Sequence, residues 1–551
     1  MHVSRFSLLP LAVVAALPFG ATTHGQTALD RVQPPDTKDK RTPDEPLLSE
    51  EEAHVEVDAP RSPAAPTRGV LAGAIVLHGL QSLTPADFAD ILATRVAQTL
   101  SPEELTQLAS AVAGRARSRG FVFASAWIAP QKLRNGVLTV EVDEGHVDEI
   151  RLEGLEQPAV RAALSPLADG KPVRLEALER RLLIAGDIDG VRILGTRFVR
   201  EDGKGVLQVK LASNRVAGRI TLANEGTKPI GPEQVTLQAD FAGLLAHDDS
   251  LTVTWSETPA ELGELHFGRV RYEKRINRSG TELALSASGS TARPGAYLTP
   301  YGIRSRSWYV GATVLQPLLR RRTASLWLEG EVGMRNLLQW RKGSRVRDDR
   351  VVAARATLYG YADTAGGRLR AGATVSQGLD TLGATEPGDP LSSRWDADGT
   401  FTTWSGWADW TRPLGGDFSL RLSMMSQLSS DPLLIGEEIG LGGTGFLRGY
   451  DWSERSGDEG VAGLAELRYA LDRPLRLARR TQLYAFADGG KVTNKADGFG
   501  SGTLASAGGG IRADVTNSFG INLELAMPLT GLRYDTNDKT PKVNFKLLKS
   551  F

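Results

Sequence analysis

Residues 519–527 read Phe-Gly-Ile-Asn-Leu-Glu-Leu-Ala-Met. The odd positions are large and apolar; the even ones are small or polar, with a carboxylate at Glu524. A period of two marks a β-strand, whose successive side chains point to opposite faces. One face of this strand suits hydrocarbon and the other tolerates charge. A soluble sandwich turns the charged face to water and buries the apolar one, whereas a membrane barrel turns the apolar face to lipid and the charged one to its lumen. The alternation alone leaves both open, and length and recurrence decide between them.

The pattern recurs from about Arg215 to the end of the chain. Leu326, Leu328, Val332 and Met334 alternate with Ser325, Trp327, Glu329 and Glu331. Candidate strands lie near 216–224, 234–242, 250–257, 264–273, 281–289, 307–315, 323–334, 350–361, 367–377, 401–411, 416–427, 459–470, 481–489, 503–513, 518–527 and 542–551, an even count of about sixteen. Each strand with its connection has roughly 21 residues, and a membrane-spanning strand needs roughly 9–11. Val543, Phe545, Leu547 and Phe551 share the apolar face of the last one. The chain is therefore mainly β, and residues 214–551 are expected to form a transmembrane antiparallel barrel. One connection, 430–458, is much longer than hairpin loops ordinarily are.

Upstream of Arg215 the periodicity is helical. Ser101-Pro102-Glu103-Glu104 is a capping box with proline at the first helical position, and it opens a helix that buries Leu105, Leu108 and Val112 and ends at Gly120. With Val70–His78 before it and strands over Phe121–Ile128 and Val137–Val142 after it, residues 70–145 read β-α-α-β-β. Residues 146–213 repeat that order: a strand over 147–152, helices over 157–167 and 175–184, and strands over 191–198 and 205–211. Two small α+β units thus precede the barrel. Residues 26–69, with prolines at 34, 35, 43, 46, 60, 63 and 66, read as a linker holding a short helix from Glu50 through Val57 capped by Ser49. Residues 1–25, with Arg5 ahead of the apolar run Phe6–Phe19, read as a secretory signal peptide.

Composition narrows the chemistry. Lys+Arg and Asp+Glu balance at 65 each and no basic block stands out, so nucleic acid is not an expected partner. The chain has no cysteine and its 7 histidines are scattered, which leaves no thiol chemistry and no histidine pair for a metal. Neither a cofactor nor catalysis is expected, because no nucleophile is paired with a base. Arg320-Arg321-Arg322 reads as a hairpin connection at the membrane surface. Trp404, Trp407 and Trp410 read as interfacial and packing residues, and Glu329 and Glu331 as lumen lining.

Four stretches carry a family resemblance. Pro130-Gln131, Gly136–Val142 and Glu144-Gly145 together resemble the end of the first POTRA domain of TpsB transporters, the outer-membrane partners of two-partner secretion. Leu178–Leu183 followed by Asp187–Val191 is similar to their second POTRA domain, with Asp189 where the family usually has proline, a departure confined to a turn. Phe446-Leu447-Arg448-Gly449-Tyr450 resembles the Val-Arg-Gly-Phe/Tyr motif at the tip of their sixth extracellular loop, which folds into the lumen. Phe486-Ala487-Asp488-Gly489-Gly490 resembles the Phe-x-Asp-x-Gly motif of their thirteenth strand. The glycine-rich run around Arg448 lacks the Gly-Lys-Ser/Thr of a phosphate-binding loop.

The resemblance implies an outer-membrane pore with periplasmic POTRA domains. Its partners would be a secreted haemolysin- or adhesin-like protein carrying an N-terminal secretion domain, outer-membrane lipid, and the barrel assembly machinery, which reads a terminal aromatic such as Phe551. A lumen arginine needs a carboxylate partner, and Asp488 is the expected one. Gly445 and Gly449 are expected to let the tip turn and approach the wall, and Gly490 to leave room opposite. Two other functions share parts of the pattern: a membrane-protein assembly factor of the same superfamily, which usually carries more POTRA units, and a small-solute porin.

Overall fold

A computed structural model describes residues 55–57, 69–471 and 478–551. The signal-peptide reading of 1–25 and most of the linker lie outside these residues. So does the start of the short helix expected over Glu50–Val57, but its end is resolved differently. Val55–Val57 is a strand, β1, paired in parallel with Thr196–Phe198. Val-Glu-Val is β-branched and alternating, and an open sheet edge supplies the backbone partners that an isolated helix turn lacks.

The first α+β unit contains β2 (Val70–Ala72), β3 (Ala74–His78), α1 (Ala89–Ala93), β4 (Gln98–Leu100), α2 (Pro102–Ser118), β5 (Ser125–Trp127) and β6 (Val137–Asp143). The capping box forms at the start of α2: the Ser101 hydroxyl accepts the Glu104 N–H, and the Glu104 carboxylate accepts the Ser101 N–H at 2.8 Å. Leu105, Leu108 and Val112 pack against Leu138, Val140 and Val142 of β6. Strand β4, absent from the sequence reading, pairs with β2, and β5 is shorter than expected. Glu144 is buried and serves the fold. Its carboxylate accepts the N–H groups of Gln81, Ser82 and Leu83 at 2.8–3.0 Å.

The second unit contains β7 (Glu149–Glu153), α3 (Pro158–Leu164), α4 (Leu175–Gly186), β8 (Val191–Glu201) and β9 (Lys204–Ser213), with sheet order β1-β8-β9-β7. The two units share a joint. Phe123 of the first stacks on Phe198 of the second with ring centroids 4.0 Å apart, and Arg200 binds the Asp143 carboxylate at 2.7 Å and the Phe123 carbonyl at 2.8 Å.

Sixteen antiparallel strands then close a barrel. They are β10 (Val216–Ala223), β11 (Gln234–Ala242), β12 (Asp249–Glu257), β13 (Leu265–Arg275), β14 (Glu282–Ala292), β15 (Ile303–Arg320), β16 (Ala324–Arg341), β17 (Ser344–Thr364), β18 (Gly367–Gly378), β19 (Thr402–Gly415) and β20 (Phe418–Ser429). Two short strands of the long connection follow, β21 (Ile439–Leu441) and β22 (Arg455–Gly457). The barrel resumes with β23 (Glu459–Ala470), β24 (Arg480–Thr493), β25 (Gly502–Thr516), β26 (Phe519–Pro528) and β27 (Lys542–Ser550). Every candidate strand is found, and β15 to β17 run well beyond spanning length, at 18, 18 and 21 residues. Leu523, Leu525 and Met527 are exposed on the outer wall, while Glu524 is buried inside. The barrel closes where Arg219–Ala223 meets Lys546–Ser550. Phe551 completes that seam: it exchanges two backbone hydrogen bonds with Gly218, at 2.8 and 3.0 Å, and its ring lies where a Gly218 side chain would be.

The second unit is bolted to one end of the barrel. Arg320 grips Asp187 with two hydrogen bonds of 2.6 and 2.9 Å, and Arg275 donates to the Ile184 carbonyl. A bulge at Pro317/Leu319 shifts the alternation of β15 so that Arg320 is buried rather than exposed. The basic run is therefore a docking clasp as well as a hairpin connection. Asp189, read as confined to a turn, also reaches the barrel and accepts the Ser250 hydroxyl at 2.7 Å.

Candidate functional site

The long connection folds back into the barrel. Strands β21 and β22 pair as a two-stranded stem, and the tip between them lies against β23 to β27. The tip turns at Gly442, Gly443 and Leu447, all at positive φ; Leu447 is at +61° and its carbonyl accepts the Tyr450 N–H. Gly449 was expected in a turn and lies in the one that this hydrogen bond closes between Leu447 and Tyr450, without a positive φ; Gly445, also expected to turn the tip toward the wall, has open space around it. Gly449 has the other role foreseen for it: a methyl group there would lie 2.9 Å from Met527, Pro528 and Ser506 atoms, so only glycine lets the tip rest on the wall. Opposite, a Gly490 side chain would meet Leu441 at 3.2 Å.

Arg448 is 5% exposed, and its main partner is not Asp488. Its Nη1 donates to Glu524 at 2.7 Å and to Glu466 at 2.9 Å. Asp488 lies 3.6 Å from Nε and accepts the backbone N–H of Arg448 at 3.2 Å, together with the Ser506 hydroxyl. The geometry of β24 explains the difference. Its inward residues are Tyr484, Phe486, Asp488 and Gly490, and the guanidinium stacks 3.5 Å above the Phe486 ring, one inward position away from Asp488. From there it reaches the inward carboxylates of β23 and β26. Arg468 and Arg512 also bind Glu466, at 2.7 and 2.8 Å, and Asn544 donates to both Glu524 and the Arg448 carbonyl. Three guanidinium groups thus face three carboxylates, which offsets the cost of confining each charge.

The rest of the tip is held as closely. Tyr450 is fully buried, with its hydroxyl on Thr530, and Asp451 binds Arg533 at 3.1 Å and Lys542 at 3.2 Å. A second buried arginine, Arg394 in the connection between β18 and β19, holds the base of the loop. It binds Asp458 at 2.7 Å, Asp396 at 2.9 Å and Glu438 at 3.1 Å. Arg355 links Glu331 of the wall to Glu437 of the loop. The sequence reading missed Glu466, Glu524 and Arg394. For the two glutamates a signal existed, because both lie on the inward parity of their strands; for Arg394 none did.

The tryptophans separate by parity. Trp404 and Trp410 share the outer face, and Trp407 lies on the inner one, against Gly372. Among the described residues no three His, Asp or Glu side chains converge as metal ligands.

Comparison with known proteins agrees with this architecture. Residues 203–513, more than half of the chain, match the family described as haemolysin secretion/activation protein ShlB/FhaC/HecB, and residues 72–145 match the ShlB-type POTRA domain. The outer membrane transporter CdiB of Escherichia coli strain 536 is 26% identical over 482 residues, covering 82% of this chain and 79% of that one. The heme/hemopexin transporter protein HuxB of Haemophilus influenzae is 21% identical over 466 residues, covering 82% and 81%. The solved structure of Escherichia coli CdiB superposes with a TM-score of 0.69 at 21% identity, covering 90% of this chain and 92% of that one. The chain therefore belongs to the haemolysin secretion/activation family ShlB/FhaC/HecB, as an outer-membrane barrel with its POTRA domains in the periplasm.

Proposed function

We propose that the chain is the membrane half of a two-partner secretion pair, which recognises one secreted protein by an N-terminal secretion domain and passes it outward unfolded. The observation that carries this reading is what fills the lumen: a polypeptide loop held by side-chain ion pairs to five different strands, β17, β23, β24, β26 and β27, and by no covalent bond to any of them. A small-solute porin has no use for such a lock. An assembly factor shares the lock but usually has more POTRA units than the two found here. Extended clients bind sheet edges by β-augmentation, and the POTRA sheets offer such edges. The β8 edge is already taken by β1, so a client strand there must displace residues 55–57.

The test compares the full chain with a variant lacking residues 70–212, using as client a secreted protein with an N-terminal secretion domain from the same genome. The expected result is secretion by the full chain, and normal barrel insertion without client capture by the truncated one. Secretion by the truncated barrel would remove recognition from the POTRA domains. Incorporation of other barrels that depends on this chain would favour the assembly role.

A further inference from the structure

One row of the lumen wall differs from its neighbours. Cross-strand pairing places Trp327, Tyr359, Gly372, Trp407, Met425 and Ala462 side by side on β16 to β20 and β23, all on the inner parity. The row continues through Gly490 and Leu504. No residue of it is charged. On β16 to β20 the rows on either side carry polar groups, Glu329, Thr357, Thr374, Ser405 and Gln427 toward the outside and Ser325, Tyr361, Arg370, Asp409 and Ser423 toward the periplasm; on β23 they reach Gly460 and Leu464. Strands of a barrel tilt, so a row running across them climbs as it goes round. Trp327 lies near the periplasmic end of β16, and Gly490 near the outer end of β24.

Both ends of the row are tied to parts already described. At the bottom, Trp327 stacks on Tyr359 at 5.5 Å and carries the Arg320 guanidinium 4.6 Å above its ring, and Arg320 is the residue that grips the second POTRA domain. At the top, Ala462 and Leu504 are buried under Leu441, Leu447 and Tyr450 of the loop, with Met425 packed against the same cluster. The upper part of the row therefore already holds the apolar side chains of a polypeptide segment. In the lower part Trp327, Tyr359 and Trp407 remain partly exposed to the lumen. The Trp407 indole lies over Gly372, where a methyl group would come within 2.6 Å of its Nε1, so the ring needs a glycine beside it to lie flat on the wall.

We propose that this row is a track for the apolar side chains of the extended client, leading from the POTRA dock to the loop tip, which occupies its upper end while the pore is closed. The proposal rests on the two-partner secretion reading and adds to it which wall the client follows. Aromatic rings suit the task because they give each passing side chain a modest, sequence-tolerant contact.

The absence of cysteine permits a direct test. Single cysteines are placed on the row (Tyr359→Cys, Trp407→Cys), on the polar row beside it (Thr374→Cys, Ser405→Cys) and on the lipid face (Trp404→Cys) of the full chain in lipid nanodiscs. The probe is a peptide of alternating leucine and serine with one central cysteine; the control peptide has asparagine for leucine. Disulfide capture of the leucine peptide is expected to be roughly fivefold higher on the row than on the polar row, a factor typical of one aromatic contact. Capture at Trp404→Cys and of the asparagine peptide should stay at background. Equal capture on the two rows, or of the two peptides, overturns the proposal. In parallel, Tyr359→Ser/Trp407→Ser should slow client secretion at unchanged barrel abundance and client binding. If the native chain secretes the client and the variant does so equally fast, the track fails alone; if the native chain secretes nothing, the two-partner reading fails, and the capture pattern judges the track separately.

Discussion

An arginine inside a barrel is held by the carboxylates that neighbouring strands turn inward, and for Arg448 these are Glu466 and Glu524. They are not equally dependent on it. Glu466 keeps Arg468 and Arg512 when Arg448 is removed, whereas among the described residues Glu524 is left with the neutral donors Tyr484 and Asn544. Arg448→Ala should therefore strand the Glu524 charge, at about 3–5 kcal/mol for a fully buried pair and less where lumen water enters. Glu524→Gln in the Arg448→Ala background should recover part of that loss, and Asp488→Asn should not, because Asp488 mainly binds the loop backbone. A double-mutant cycle read by labelling of a cysteine placed at Gly445 checks this, with barrel abundance unchanged and secretion sharply reduced in Arg448→Ala. Equal coupling of Arg448 to Asp488 and to Glu524 would contradict the geometry.

As an element, the loop is gripped by a buried arginine at each end, Arg448 at its tip and Arg394 at its base, beside the single ion pair of Arg355 with Glu437. The base anchor comes from a different connection and binds carboxylates from both arms, Glu438 before the tip and Asp458 after it. Arg394→Ala should free the stem while leaving the tip docked, giving protease access from outside near residues 430–440 without a rise in conductance. Arg394→Lys should restore little, since one ammonium does not match a fork spanning three carboxylates. Conductance rising to the level of Arg448→Ala would show that the two anchors act as one.

For the whole molecule, the docking of POTRA domain on barrel should respond to proton uptake at Asp189. Burial raises the Asp189 carboxyl to about 6, assisted by the negative charges of Glu273 and Glu282 on β13 and β14, against the hydrogen bond from Ser250. A carboxyl that holds its proton more tightly when docked favours docking at low pH. That stability is fully present below the ordinary carboxylate value of 3.8, is lost as pH rises toward about 6, and is level above it. Spin labels on the second POTRA domain and on the barrel rim should report a narrower distance distribution at pH 5 than at pH 7. Asp189→Asn should remove that difference, and its persistence would assign the effect to another group.

The sequence by itself determined the strand number, the lipid-facing parity, the two α+β units and the loop and strand motifs, because each is written in local pattern: alternation in Phe519–Met527, the capping box at Ser101, the glycines around Arg448. The inward parity of Glu466 and Glu524 was written in the same alternation, although only that of Glu524 was read from it. It did not determine which inward charges meet. Arg448 reaches strands 18 and 76 residues away in sequence, and Arg394 binds across 44 and 64, so those partners depend on register and on how the guanidinium clears the Phe486 ring. Likewise Val55–Val57 became a strand because β8 offered an edge, and Arg320 turned inward because a bulge broke the period it would otherwise have followed. Local pattern fixes a residue's element and face, because sterics and burial act over a few neighbours. Partners across the lumen are fixed only when the barrel closes, because closure sets the register that brings distant strands level.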